Sequence, residues 1–223
     1  MKTQKVLIFG HPHCGTSILK SIIGHAPEVD EIVDEVSDLK FRPSNSRFQL
    51  GKYPKTLGIF FQQQYEEYEK IFTLRNPIWV YSSLNRRFGG PNKIPQDTSL
   101  DVFIKICEIF EFYRKNPKPK LHTILYEEMF ERDHQKVRKI LKDIGISDVG
   151  IFNNQNFKNK IVSKISGDFD SPPCEKNNHA KFRTWQINQP FINNNEMKKI
   201  EITRDQRYKI MTSPVLNRLF NFY

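Results

Sequence analysis

Only three of the 223 residues are cysteines, Cys14, Cys107 and Cys174, and no two of them form a C-x-x-C pair. An odd count without paired spacing offers neither a disulfide framework nor a zinc site. No apolar run approaches the roughly 20 residues of a membrane-spanning helix. The start, MKTQKVLIFG, enters an apolar strand with none of the layout of a signal peptide, so a soluble, cytoplasmic chain is expected. There is no internal repeat, and 38% hydrophobic and 13% aromatic residues are too many for a disordered chain. The length suits one well-buried domain spanning residues 1–223. Acidic residues are also in deficit: 25 Asp and Glu against 35 Lys and Arg leave a formal net charge of +10. That excess suits an anionic ligand, such as a nucleotide, a sulfated or carboxylated glycan, nucleic acid or a lipid headgroup; a lysine-rich solvated surface would produce the same sum.

What is present alternates. KVLIFG reads as a buried strand, and TSILKSIIGH as a helix with Ile18, Leu19, Ile22 and Ile23 on one face and Gly24 at its end. Residues 25 to 55 read as polar and irregular, opening on the acidic stretch PEVDEIVDEVSD. TLGIFF and KIFTL are further short strand candidates. RNPIWVYSSLNRRF follows, with Asn76 placed to cap a helix and Pro77 to open it. SLDVFIKICEIFEFYRK has helical periodicity, LHTILYEEM is a fourth strand candidate, and RDHQKVRKILKDIGI is an amphipathic helix. Strands alternating with helices predict a parallel α/β sheet. Residues 150–195, rich in Asn and Lys with Pro172 and Pro173, read as a loop or lid.

FGHPHCGTSIL nearly spells a nucleotide-binding P-loop, G-x-x-x-x-G-K-[ST]. Gly10 and Gly15 have the right spacing and Ser17 fills the last place, but Thr16 stands where the lysine belongs. The strand, glycine-bounded loop and helix order is the context that presents free N–H groups and a positive dipole end to an anion. A kinase or NTPase also needs an acidic magnesium partner at a strand end, and no apolar strand here ends in aspartate. KIFTLR ends in Arg75 instead, and Ser83 follows eight residues later on the next helix. Guanidinium and hydroxyl can thus face one pocket, both suited to a phosphate.

This ordered pair of motifs resembles the PAPS-dependent sulfotransferase family. Its first motif, P-[KR]-[SA]-G-T-[TS]-x-L, is matched at Pro12, Gly15, Thr16, Ser17 and Leu19, and RNPIWVYSS matches its second. ILYEEM resembles the later Y-E-[DE]-[LM], KVRKILKDIGI the helix after it, and AKFRTW the late loop that closes on the donor. The resemblance covers roughly residues 5 to 150 and is weak beyond. It implies a P-loop NTPase-like parallel sheet flanked by helices. The implied reaction moves a sulfuryl group from PAPS to a hydroxyl or amine of an acceptor, a glycan or another small molecule. Adenosine 3′,5′-bisphosphate (PAP) leaves, with no obligatory metal and no nucleic-acid partner.

The resemblance also assigns residues. Pro12, His13, Cys14, Gly15, Thr16 and Ser17 would hold the 5′-phosphosulfate, and Arg75 and Ser83 the 3′-phosphate. Lys181 and Arg183 would close on the donor, and Tyr126 would stack near adenine or else belong to the core. Two positions depart from the family pattern: His13 replaces lysine or arginine, and Cys14 replaces a small hydroxyl or alanine. A histidine can steady charge on the leaving oxygen as an N–H donor, better if protonated. His11 is a nearby substitute or a turn residue. An acceptor hydroxyl needs a general base, and GHAPEVDEIVDE nominates Glu35, with Asp34 beside it, unless that run is a solvated face. This brings the chain nearer the glycan and tyrosine branch than the cytosolic one. Lys52 and Lys55 in GKYPK resemble the family's K-x-P element or are surface lysines. The rival readings are a P-loop small-molecule kinase, which the missing loop lysine opposes, and a non-catalytic nucleotide- or polyanion-binding protein.

Overall fold

In the computed structural model the described residues are 3–31, 45–53, 66–149, 151–152 and 200–222. Among the described residues five strands form one sheet in the order β2-β3-β1-β4-β5: β1 Gln4–Gly10, β2 Val29–Glu31, β3 Phe48–Tyr53, β4 Glu69–Leu74 and β5 Leu121–Leu125. Every neighbouring pair is parallel. β1 lies at the centre with its last five residues buried, as a strand covered on both faces must be. The registers Phe9↔Tyr53 and Gly10↔Thr73 bring the C-terminal ends of the three central strands level, so the β1 and β4 connections to their helices open on one edge.

β2 and β3 correct the expectation that residues 25–55 are irregular. In FQLGKY, Gln49 and Lys52 are 2% and 6% exposed although polar, so β3 is buried without being an apolar run. The strand candidate TLGIFF lies outside the described residues.

Alternate residues of β1 feed two cores, as the pleat of a strand requires. Val6 and Ile8 pack with Leu19, Ile22 and Ile23 of α1 (Thr16–Ile23) and with Val137, Ile140 and Leu141 of α4 (Gln135–Ile144). Leu7 and Phe9 face the opposite side, which is covered by α2 (Pro77–Phe88), α3 (Leu100–Lys115), α5 (Arg204–Thr212) and α6 (Pro214–Phe220). Phe9 stacks on Phe72 at 4.8 Å between ring centroids, and Phe110 of α3 meets Phe72 edge-on at 5.0 Å. Truncating such a ring to alanine typically costs about 3–5 kcal/mol.

α5 and α6 were not expected from the sequence, yet they complete the second core with Ile210, Val215 and Leu216. A capping box fixes the start of α5, with Thr203 and Gln206 bonding reciprocally. The chain before it is fastened to α2: the Glu201 N–H donates to Ser82 Oγ at 2.8 Å and Asn85 Nδ2 donates to the Glu201 carbonyl at 2.6 Å. Of the segment 150–195 only Ile151 and Phe152 are described, and both are buried in the first core. Among the described residues no helix is long and apolar enough to cross a membrane.

Candidate phosphate-binding site

The loop from β1 to α1 is confined on both sides. A Cβ on Gly10 would run into the carbonyl oxygen of Thr73, so β1 can approach β4 this closely only with glycine there. His13 and Gly15 turn the chain through left-handed conformations, φ 67° and φ 85°. At Gly15 a Cβ would strike the Tyr126 ring. His13 tolerates its left-handed conformation, which costs a non-glycine residue about 1–2 kcal/mol, with both ring nitrogens engaged. Nδ1 lies 2.8 Å from Ser83 Oγ, and Nε2 lies 3.4 Å from a terminal nitrogen of Arg87.

The other loop side chains turn inward. Cys14 is fully buried in the second core, and burial pushes its thiol far above the ordinary range, so only its backbone faces the loop. Its N–H donates to the His11 carbonyl at 3.2 Å. His11 is 1% exposed, edge-on to Phe103, and burial pulls its imidazole down to about 4. It is therefore neutral at pH 7, and Nδ1–H donates to the Pro12 carbonyl at 3.0 Å.

α1 begins directly after Gly15, and no side chain caps it. An uncapped helix start concentrates orphan N–H groups and the positive end of the helix dipole. Thr16 is buried and Ser17 half-buried on its first turn. Ser17 Oγ accepts from Lys52 Nζ at 2.6 Å. Lys52, nearly buried at the end of β3, brings a positive charge to a loop that has no lysine or arginine of its own.

The neighbouring connection, β4 to α2, carries the second motif. Asn76 Oδ1 caps α2 by accepting from the Ile78 N–H at 3.0 Å, as the sequence predicts. The Asn76 N–H donates to Glu127 Oε1, also at 3.0 Å. Burial raises the Glu127 carboxyl, and that hydrogen bond and the Arg75 charge offset part of the shift. The Arg75 guanidinium stands 4.2 Å from the centroid of the Tyr126 ring. Tyr126 is 5% exposed and belongs to the first core, with its hydroxyl pushed up to about 12 by burial. One face of its environment is Gly15 and another is Arg75, so the ring sits beneath the loop as a support.

The structure thus unites His13 with Ser83, Ser17 with Lys52, and Gly15 and Arg75 through Tyr126. Glu35, Asp34, Lys55, Lys181 and Arg183 lie outside the described residues. Sequence reasoning missed Arg87 and Glu127. Arg87 stands four residues after Ser83, hence on the same helix face, and that spacing was the available signal.

No protein-family model matches the chain, and no curated protein matches it in sequence. Solved structures do match. The chain is similar to the crystal structure of mouse sulfotransferase SULT7A1 complexed with PAP, with a TM-score of 0.50 and 15% identity over 99% of this chain and 83% of that one. It is also similar to retinol dehydratase in complex with androsterone and inactive cofactor PAP, with a TM-score of 0.42 and 11% identity over 69% and 64% of the two chains. At these identities the likeness is one of fold. The fold is the P-loop-like α/β fold, a parallel sheet flanked by helices, that SULT7A1 also has.

Proposed function

We propose that the chain is a sulfotransferase that takes its sulfuryl group from PAPS. One observation carries the reading: Ser83 of the second motif, seventy residues downstream, meets the glycine loop of the first motif at His13, 2.8 Å away. A hydroxyl and an arginine placed beside an uncapped helix start suit a nucleotide bearing phosphates at both ends. In this reading the loop amides and the Thr16 and Ser17 hydroxyls hold the 5′-phosphosulfate. Arg75 and Ser83 hold the 3′-phosphate, with Tyr126 supporting Arg75, and Lys181 and Arg183 close over the donor.

The acceptor oxygen forms a bond to sulfur while the bond from sulfur to the bridging phosphate oxygen breaks. Lys52 steadies the charge that grows on the departing oxygen. Glu35, or Asp34 beside it, takes the acceptor proton. Acceptors of the glycan or tyrosine kind are the first to try.

Titration calorimetry with PAPS, PAP and ATP tests the donor. Tight PAP and weak ATP are expected, and a preference for ATP would return the kinase reading. Transfer of labelled sulfate from PAPS to a panel of glycans, phenols and lipids tests the reaction. PAP binding without transfer to any acceptor would favour a non-catalytic nucleotide-binding protein. Glu35→Gln should lower turnover about 10²-fold with donor affinity unchanged. If Asp34→Asn causes the collapse instead, the base is one residue earlier.

A further inference from the structure

The loop Gly10–Ser17 reads GHPHCGTS and contains no residue of fixed positive charge. Among the described residues, Lys52 and Arg87 hydrogen-bond loop side chains from outside. Lys52 arrives at the Ser17 end, and Arg87 at the middle, against His13. We propose that Arg87 is a specificity-determining residue of the nucleotide site, pairing with Ser83 to bind a phosphate monoester, the 3′-phosphate of the donor. The proposal rests on the sulfotransferase reading above.

Hydrogen-bond chemistry orders the triad. A guanidinium only donates, so His13 Nε2 must accept from Arg87. A neutral imidazole then carries its proton on Nδ1, which donates to Ser83 Oγ across 2.8 Å. With its oxygen already accepting, the Ser83 hydroxyl directs its own hydrogen away from the ring, as a phosphate donor should. Ser83 and Arg87 stand one helical turn apart on α2 and present hydroxyl and charge side by side. His13 serves as the neutral linker that spaces them, and Arg87 supplies the charge. Charge-assisted bonds to phosphate are the strong ones, and a planar guanidinium matches phosphate oxygens in pairs.

The next residue supplies an internal control. Arg86 turns to the other side of α2, where it donates to Ser82 Oγ at 3.1 Å and lies 3.8 Å from the Glu201 carboxylate. Arg86→Gln and Arg87→Gln remove the same charge from the same helix, but only one of them faces the loop.

Calorimetry with PAP and with adenosine 5′-monophosphate on the parent chain and these variants decides the matter. Arg87→Gln should weaken PAP about ten- to a hundredfold while barely changing the monophosphate. Arg86→Gln should leave both affinities alone, and Arg87→Lys should recover part of the PAP preference. In the free protein, ¹⁵N resonances of His13 should report the proton on Nδ1; a proton on Nε2 overturns the assignment. A parent chain that prefers PAP, with Arg87→Gln indistinguishable from Arg86→Gln, overturns the role of Arg87 alone. A parent chain with no preference for PAP overturns the donor reading and takes the 3′-phosphate assignment with it.

Discussion

Two connections leave the same edge of the sheet from adjacent strands, and they begin their helices in opposite ways. After β4, Asn76 caps α2 with its own side chain and Glu127 takes the Asn76 N–H, so the backbone there is satisfied from within. After β1, the chain turns through left-handed His13 and Gly15 and enters α1 without a side-chain cap. A capped start can offer a ligand only its side chains, here Arg75 and Ser83. An uncapped one offers backbone N–H groups and the dipole. The two halves of the proposed nucleotide site are thus built from different materials, and each can be broken separately.

The largest expected effect is at Gly15. Gly15→Ala places a Cβ against the Tyr126 ring at φ 85°, and should cost about 2–5 kcal/mol in urea unfolding while abolishing nucleotide binding. An unchanged midpoint would mean that the Tyr126 ring yields and the loop is less confined than drawn.

The next effect depends on pH. Folded His11 takes a proton only near about 4, whereas an unfolded imidazole does so near about 6.5. The unfolded chain therefore gains protons first as pH falls. The His11 contribution to stability is whole above about 6.5 and declines by as much as about 3 kcal/mol in total by about pH 4. His11→Phe keeps an aromatic ring against Phe103 and removes this titration, so its unfolding midpoint should fall less than the parent's across that window. Parallel curves would show that His11 is not the buried base.

On the capped side, Arg75→Ala should weaken PAP by roughly 1.5–3 kcal/mol and the 5′-monophosphate much less. Equal losses for both ligands would remove Arg75 from the 3′-phosphate. Asn76→Ala should give the smallest change, about 1 kcal/mol of stability, with nucleotide affinity preserved. A large loss of affinity there would show that the cap does more than hold α2.

Much of this was legible because the usual rules apply. Apolar runs mark β1, β4 and β5, and Asn76-Pro77 announces α2. β3 hid because Gln49 and Lys52 interrupt it, and Lys52 reaches Ser17. A buried strand whose polar residues break the apolar pattern is one of the places where a functional site is expected. Arg87 hid for a different reason. A pair of arginines in the last turn of a helix is ordinary complement to its dipole, and only the fold shows that one of the two faces the loop while the other faces Glu201. α5 and α6 carry too weak a periodicity to stand out, and their place is set by the second core they complete.

The strand order also imposes a schedule on a chain made from its N-terminus. β1 is made before both of its neighbours, β3 and β4, and neither is complete until residues 53 and 74 have been added. At the ordinary pace of translation, about 5–20 residues per second, the apolar β1 waits several seconds with both edges bare. Unpaired edges of this kind recruit other chains. The second core waits longer still, because Ile210, Val215 and Leu216 are added long after β1 and β4. In a parallel sheet whose central strand is made before its neighbours, the interval until β1 is paired is an exposure that the stability of the finished fold does not remove.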